Sequence, residues 1–165
     1  MVSATEVPAG AAAYLALAIE AGRKGMRAHL GGPFGAVVVA RDGSVAGEGC
    51  NRVTSSNDPT AHAEITAIRA ACAALDSFLL EGCTLYTSCE PCPMCLAAAY
   101  WAHVDAIVYG ASRVDAAEAG FDDAFIYDEI GQPLDARRIP MRRLSDEAAA
   151  ALFQEWRAMS DRTAY

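Results

Sequence analysis

The sequence predicts an α/β fold: a three-layer α/β/α sandwich whose five-stranded mixed sheet carries helices on both faces. Apolar residues repeat with periods that switch between strand and helix in the order α-β-β-α-β-α-β-α-β-α, the pattern of one sheet covered on both sides. Hydrophobic residues make up 53% of the 165 positions and charged ones 21%, ample for a buried core and inconsistent with a disordered chain. That length suits one domain, residues 1–165, with loose ends expected only in the first dozen residues and the last few.

The elements follow in order. Leu15, Ala18, Ile19 and Gly22 keep helical spacing until Gly31-Gly32-Pro33 stops it. Ala36 to Ala40 and Val45 to Cys50 read as two strands joined by the turn Asp42-Gly43. A polar loop from Asn51 to Pro59 leads into a second helix with Ile65, Ile68, Cys72 and Leu75 on one face. Thr84 to Thr87 is a third strand, Cys92 to Ala102 a helix with Leu96 and Ala99 inward, and Ala106 to Tyr109 a fourth strand. A looser helix around Ala124 to Ile130 precedes a fifth strand near Ile139 to Leu144, and a last helix buries Leu152, Phe153, Trp156 and Met159. The helix between the last two strands predicts a parallel, right-handed crossover there.

Composition narrows the function. Thirteen Lys and Arg against twenty-one Asp and Glu leave a net charge of −8, which argues against nucleic acid as the partner. Arg137, Arg138, Arg142 and Arg143 read as the solvated face of the fifth strand. The apolar stretch Ala9 to Ile19 is too short to span a bilayer and has no basic segment before it, so a soluble, cytoplasmic chain without membrane partners is expected. Its cysteines, Cys50, Cys72, Cys83, Cys89, Cys92 and Cys95, are then thiols rather than disulfides. Cys72 and Cys83 fall at core-type positions.

Cys92 and Cys95 differ in kind. Pro91-Cys92-Pro93-Met94-Cys95 opens the third helix, and the i, i+3 spacing puts both sulfurs on one side of its first turn. His62-Ala63-Glu64 opens the second helix and offers an imidazole as third ligand. Helix N-termini favour the thiolate forms that zinc needs. Two thiolates and one imidazole leave a tetrahedral zinc one ligand short, which favours a bound water over a closed structural site. Glu64 beside that water is a general base. A Cys-x-x-Cys alone also fits a redox pair or a structural ligand pair, but H-x-E followed by P-C-x-x-C is the recurrent zinc deaminase pattern.

At these residues the chain resembles the cytidine deaminase-like zinc deaminase superfamily, and within it the short bacterial guanine deaminases. The resemblance rests on Gly31-Gly32-Pro33-Phe34-Gly35, on Asp58-Pro59-Thr60-Ala61-His62-Ala63-Glu64, on Thr87 to Cys95, and on Ala117 to Asp123. It implies one Zn2+ per chain held by His62, Cys92 and Cys95, with Glu64 as proton shuttle, and hydrolysis of guanine to xanthine and ammonia. Guanosine, cytosine and tRNA adenosine deaminases are the enzyme alternatives, and a structural zinc domain the non-enzymatic one.

The resemblance places Asn51, Phe34, Ala61 and Asp123 around a small purine base, Asp123 doubling as a second proton carrier. It makes residues 160–165 a short tail whose Tyr165 closes the pocket, and it implies a homodimer. Read from sequence alone, Asn51 is equally a turn residue, and its amide both donates and accepts. Asp123 equally caps the helix from Ala124. Phe34 either stacks on a base or fills core, and Trp101 fits core or a subunit contact.

Overall fold

The computed structural model describes Pro8 and residues 10–164. Contacts divide the chain into two compact units, residues 1–124 and 125–165.

In the first unit the layering is decided by β1 (Gly35–Val39), a five-residue strand buried at every position. Successive side chains of a strand point to opposite faces. Ala36 and Val38 accordingly join Ala63, Ala67, Leu85 and Ala99 in one core, while Val37 and Val39 join Ala11, Ala18 and Tyr86 in another. β1 pairs antiparallel with β2 (Val45–Cys50) and with β3 (Thr84–Cys89), and β3 pairs in parallel with β4 (Ala106–Ala111), giving the order β2-β1-β3-β4. The β1–β2 turn falls at Asp42-Gly43 as expected: Gly43 has φ 87°, and the Asp42 carboxylate accepts from the Ser44 N–H at 2.9 Å.

Helix α1 (Ala11–Arg27) covers the Val37 face, and α3 (Ala63–Leu75) with α4 (Pro93–Trp101) covers the Ala36 face. The three predicted layers are present. Two short helices lie where the sequence shows no clear period: α2 (Val53–Ser56), inside the predicted polar loop, and α5 (Arg113–Glu118).

The buried stripe of α3 differs from the expected one. Ala63, Glu64, Ala67, Ile68 and Ala71 are buried, whereas Leu75 is 44% exposed. The cause lies in β2, where a Cβ at Gly47 would collide with the backbone of Ala67 and Ala71. A helix lying that close to the sheet puts alanines at its nearest positions, so Ala63, Ala67 and Ala71 face inward with Ile68, Cys72 packs at the edge of the same core, and Leu75 lies outside it. Trp101, at the end of α4, is 67% exposed and is not core.

Helices α6 (Ala124–Gly131) and α7 (Glu147–Ala158) follow. The predicted fifth strand is absent: the sheet has four strands among the described residues, and the parallel crossover is the β3–α4–β4 unit instead. Pro140 has no N–H to give a ladder. Ile139 and Leu144 are 80% and 89% exposed, so no burial supports a strand there. Two of the four arginines expected on it bond locally, Arg137 to the Ile130 and Gln132 carbonyls and Arg138 to Glu129. No residue of α7 is buried, and Leu152, Phe153, Trp156 and Met159 are all exposed, contrary to the helical pattern. A unit of residues 125–165 is too short to build a second apolar layer of its own.

Candidate active site

Two helix N-termini meet on the α3–α4 side of the sheet. His62 is the N-cap of α3, with φ −68° and ψ 160°, and Cys92 is the N-cap of α4, with φ −64° and ψ 167°. Both are extended residues that turn the chain into a helix. The loop ahead of His62 is shaped by Asp58, whose Oδ1 accepts from both the Thr60 N–H (2.8 Å) and the Thr60 hydroxyl (2.7 Å). At the other helix, Pro93 occupies the first position, where its fixed φ suits a helix start and its missing N–H costs nothing.

This arrangement brings three ligand atoms together. His62 Nδ1 lies 3.5 Å from Cys92 Sγ and 3.5 Å from Cys95 Sγ, and all three atoms fall within 4.8 Å of one another. A tetrahedral zinc, with Zn–N near 2.0–2.1 Å and Zn–S about 2.3 Å, requires an N···S edge of about 3.6 Å. The three residues fit zinc. The Cys95 thiol and the His62 ring lower the Cys92 thiol to about 4. The same bond to Cys92, with burial, drives Cys95 far above its usual range. The Cys92 sulfur raises His62.

Glu64, second residue of α3, is 6% exposed, and burial pushes its carboxyl upward. It lines a cavity of about 260 Å3 together with His62, Cys92, Asn51, Phe34 and Asp123. Four of the residues singled out from the sequence thus share one cavity with two of the metal ligands. Ala61 is buried but is not among the lining residues; its N–H bonds to the Asp58 carbonyl and its C=O accepts from Arg52. Tyr165 lies outside the described residues.

The two ambiguous polar residues become definite here. Asn51 Oδ1 accepts from the Gly32 and Val53 N–H groups, each at 3.2 Å. Its accepting half is engaged, so the side chain, 7% exposed, offers its NH2 as donor. Capping of α6 falls to Asp122, whose Oδ1 accepts from the Ala124 N–H at 2.9 Å. That leaves the neighbouring Asp123 to the cavity, where burial raises its carboxyl and the Cys92 sulfur adds to the effect.

Sequence reasoning missed Phe121, Glu90, Cys89 and Arg113, which also line the cavity. Phe121 meets Phe34 edge to face, with centroids 4.9 Å apart and planes at 85°. Gly120 brings it there. At φ 92° this residue ends α5, with Gly120 N–H bonded to the Ala117 carbonyl and Phe121 N–H to the Ala116 carbonyl, the paired bonds of a Schellman motif. A glycine after a short acidic helix, followed by an aromatic, was the available signal. Cys89 is buried against the Ser112 carbonyl at 3.5 Å, and burial lifts its thiol to about 11.

Comparison with known proteins adds to this geometry. Residues 10–111 match the family model for the cytidine and deoxycytidylate deaminase zinc-binding region. The chain is 52% identical over 152 residues to a guanine deaminase of Bacillus subtilis, covering 92% of this chain and 97% of that one. It superposes on a crystal structure of guanine deaminase from Bacillus subtilis with TM-score 0.90 at 51% identity, over 93% and 98% of the two chains. It is 32% identical to a tRNA-specific adenosine deaminase of Aquifex aeolicus, over 75% and 79% of the two. A ligand triad at zinc spacing, a buried carboxylate two residues from its histidine and similarity over nearly the whole chain agree: the chain belongs to the cytidine and deoxycytidylate deaminase zinc-binding family.

Proposed function

We propose that this protein is a zinc-dependent guanine deaminase converting guanine and water to xanthine and ammonia. The observation that carries the reading is Asp123, freed from helix capping by Asp122 and lining the cavity shared by the metal ligands and Glu64. Guanine presents a ring N1–H beside its exocyclic amine, two donors suited to a carboxylate. Cytosine and adenine present no such pair. The Bacillus subtilis relatives support the same substrate.

His62, Cys92 and Cys95 hold the zinc, which when bound supplies the Lewis acidity that makes water nucleophilic near neutral pH. Glu64 would take a proton from the attacking water and pass it to ring N3 as C2 is attacked, then take the proton of the hydroxyl added at C2 and deliver it to the amine as the C–N bond breaks. Its burial keeps the proton from being lost to solvent. Asn51 donates its NH2 to an acceptor on the base edge, and Asp123 accepts from N1–H and serves as second proton carrier. Phe34 supplies an apolar wall.

Residues 1–165 act as one deaminase domain, in which residues 160–165, with Tyr165, contribute to guanine binding. Deleting residues 161–165 then raises KM for guanine without loss of zinc; unchanged kinetics would leave the tail a mere end. The free cysteines suit a cytoplasmic setting, and Tyr100 and Trp101, 76% and 67% exposed, suit a homodimer contact, which light scattering tests. Among the described residues no helix is long and apolar enough to cross a membrane.

A screen of guanine, guanosine, cytosine, adenine and tRNA for ammonia release tests the substrate. Guanine is expected first; preference for adenosine in tRNA would overturn the reading.

A further inference from the structure

Cys89, the last residue of β3, and Glu90 after it lead into the metal-bearing turn of α4, and both reach across to the chain leaving β4. The Glu90 N–H donates to the Ala111 carbonyl at 2.8 Å. The Cys89 thiol points to the Ser112 carbonyl at 3.5 Å. The Glu90 carboxylate accepts the Arg113 N–H at 3.0 Å. Arg113 is the first residue of α5, so that N–H is one of the four that a helix start leaves without an internal partner. The Ser112 hydroxyl accepts the Asp115 N–H, and Asp115 answers through the Ser112 N–H, a capping box on the same turn.

From this anchored turn α5 runs six residues to its Schellman end, and the next residues into the cavity are Phe121 and Asp123. The metal turn and the arm that carries the base-recognising carboxylate are thus joined by three bonds, of which the Glu90 carboxylate makes the one that reaches the helix itself.

We propose that Glu90 is a positioning residue for base recognition: by accepting the Arg113 N–H it fixes the root of the 112–123 arm to the Cys92 turn and holds Asp123 at the base. This rests on the reading of Asp123 as the guanine acceptor. The role needs an acceptor oxygen at Glu90, not its charge. Glutamine therefore serves, and alanine does not.

The donor can be removed without touching Glu90. Proline at position 113 lacks the N–H, suits the first helical position, and is compatible with the extended Ser112 before it, at φ −82° and ψ 166°. Arg113→Ala keeps the N–H while removing the same side chain, so the difference between Arg113→Pro and Arg113→Ala isolates the bond.

The test uses the zinc-loaded full chain. Zinc content, kcat and KM for guanine, and amide hydrogen exchange over residues 113–121 are measured for Glu90→Ala, Glu90→Gln, Arg113→Pro and Arg113→Ala. Glu90→Ala and Arg113→Pro are expected to keep zinc, raise KM about tenfold with a smaller change in kcat, and speed exchange in the arm. Glu90→Gln should recover most of the KM, and Glu90→Ala combined with Arg113→Pro should be no worse than either alone. Equal KM and equal exchange for Arg113→Pro and Arg113→Ala would overturn the proposal, as would a Glu90→Ala variant whose arm exchanges like wild type. Should Glu90→Ala fail to fold, the Arg113 pair decides. If wild-type protein does not turn over guanine, the substrate reading has failed, and exchange alone still reports whether Glu90 holds the arm.

Discussion

The metal corner and the recognition arm line one cavity but are built on opposite principles. The corner stands on the N-termini of two helices of thirteen and nine residues that are packed on the sheet, and Cys95, Glu64 and Ala63 are 0–6% exposed. The arm, residues 112–123, hangs on a six-residue helix with no buried residue, held by a capping box at one end and a Schellman turn at the other. Chemistry that every deaminase must perform sits on the rigid part. The base discrimination we propose for Asp123 would sit on the part made of local hydrogen bonds, where sequence can change at little cost to the fold.

Breaking the corner should therefore have the largest effect. Glu64→Gln removes the proton shuttle and keeps the shape, so kcat should fall by roughly 10^2- to 10^4-fold with zinc content and melting temperature near wild type. Near-normal turnover by a zinc-loaded Glu64→Gln protein would place the base elsewhere. Cys92→Ala should lose zinc and activity together, as metal analysis of the purified protein would report.

Changes on the arm and at Asn51 should act on substrate choice instead. Asp123→Asn turns one accepting oxygen into a donor facing guanine's donors, and kcat/KM for guanine should fall about 10- to 100-fold with zinc unchanged. A silent Asp123→Asn would remove the arm from recognition altogether. Asn51→Asp sharpens the comparison further. It keeps the oxygen that accepts from Gly32 and Val53 but loses the NH2, so the fold should survive while KM for guanine rises by roughly tenfold or more. Equal KM for Asn51→Asp and wild type would mean that Asn51 only holds the Gly32 loop.

What the sequence disclosed follows the same division. His62, Cys92 and Cys95 were legible because metal ligation demands particular residue types at a fixed spacing, and Glu64 because it stands two residues beyond that histidine. The layers were legible because β1 is an apolar run between two helices of clear period. Residues 113–118 escaped because Arg-Val-Asp-Ala-Ala-Glu has no apolar stripe; the helix exists through its caps. Whether Asp122 or Asp123 caps α6 could not be read from two adjacent aspartates, since either carboxylate reaches an N-terminal N–H. The fifth strand failed for another reason: Ile139, Met141 and Leu144 carry a strand-like composition, but no neighbouring strand pairs with them.

The smallest expected effect tests the arm at its hinge. Gly120 has φ 92°, a region that side chains rarely enter, yet a Cβ built there would meet nothing within 4 Å. Gly120→Ala therefore adds backbone strain and no collision, a cost of about 1 kcal/mol, and the melting temperature should fall by roughly 2–4 °C in a chain of this size. If the strain is relieved by opening the Schellman turn, Phe121 and Asp123 shift and KM for guanine rises by a factor of a few while kcat for bound guanine holds. If it is borne in place, only the melting temperature moves. A loss of zinc from Gly120→Ala would contradict the division itself, because it would mean that a backbone change at the far end of α5 reaches the metal corner.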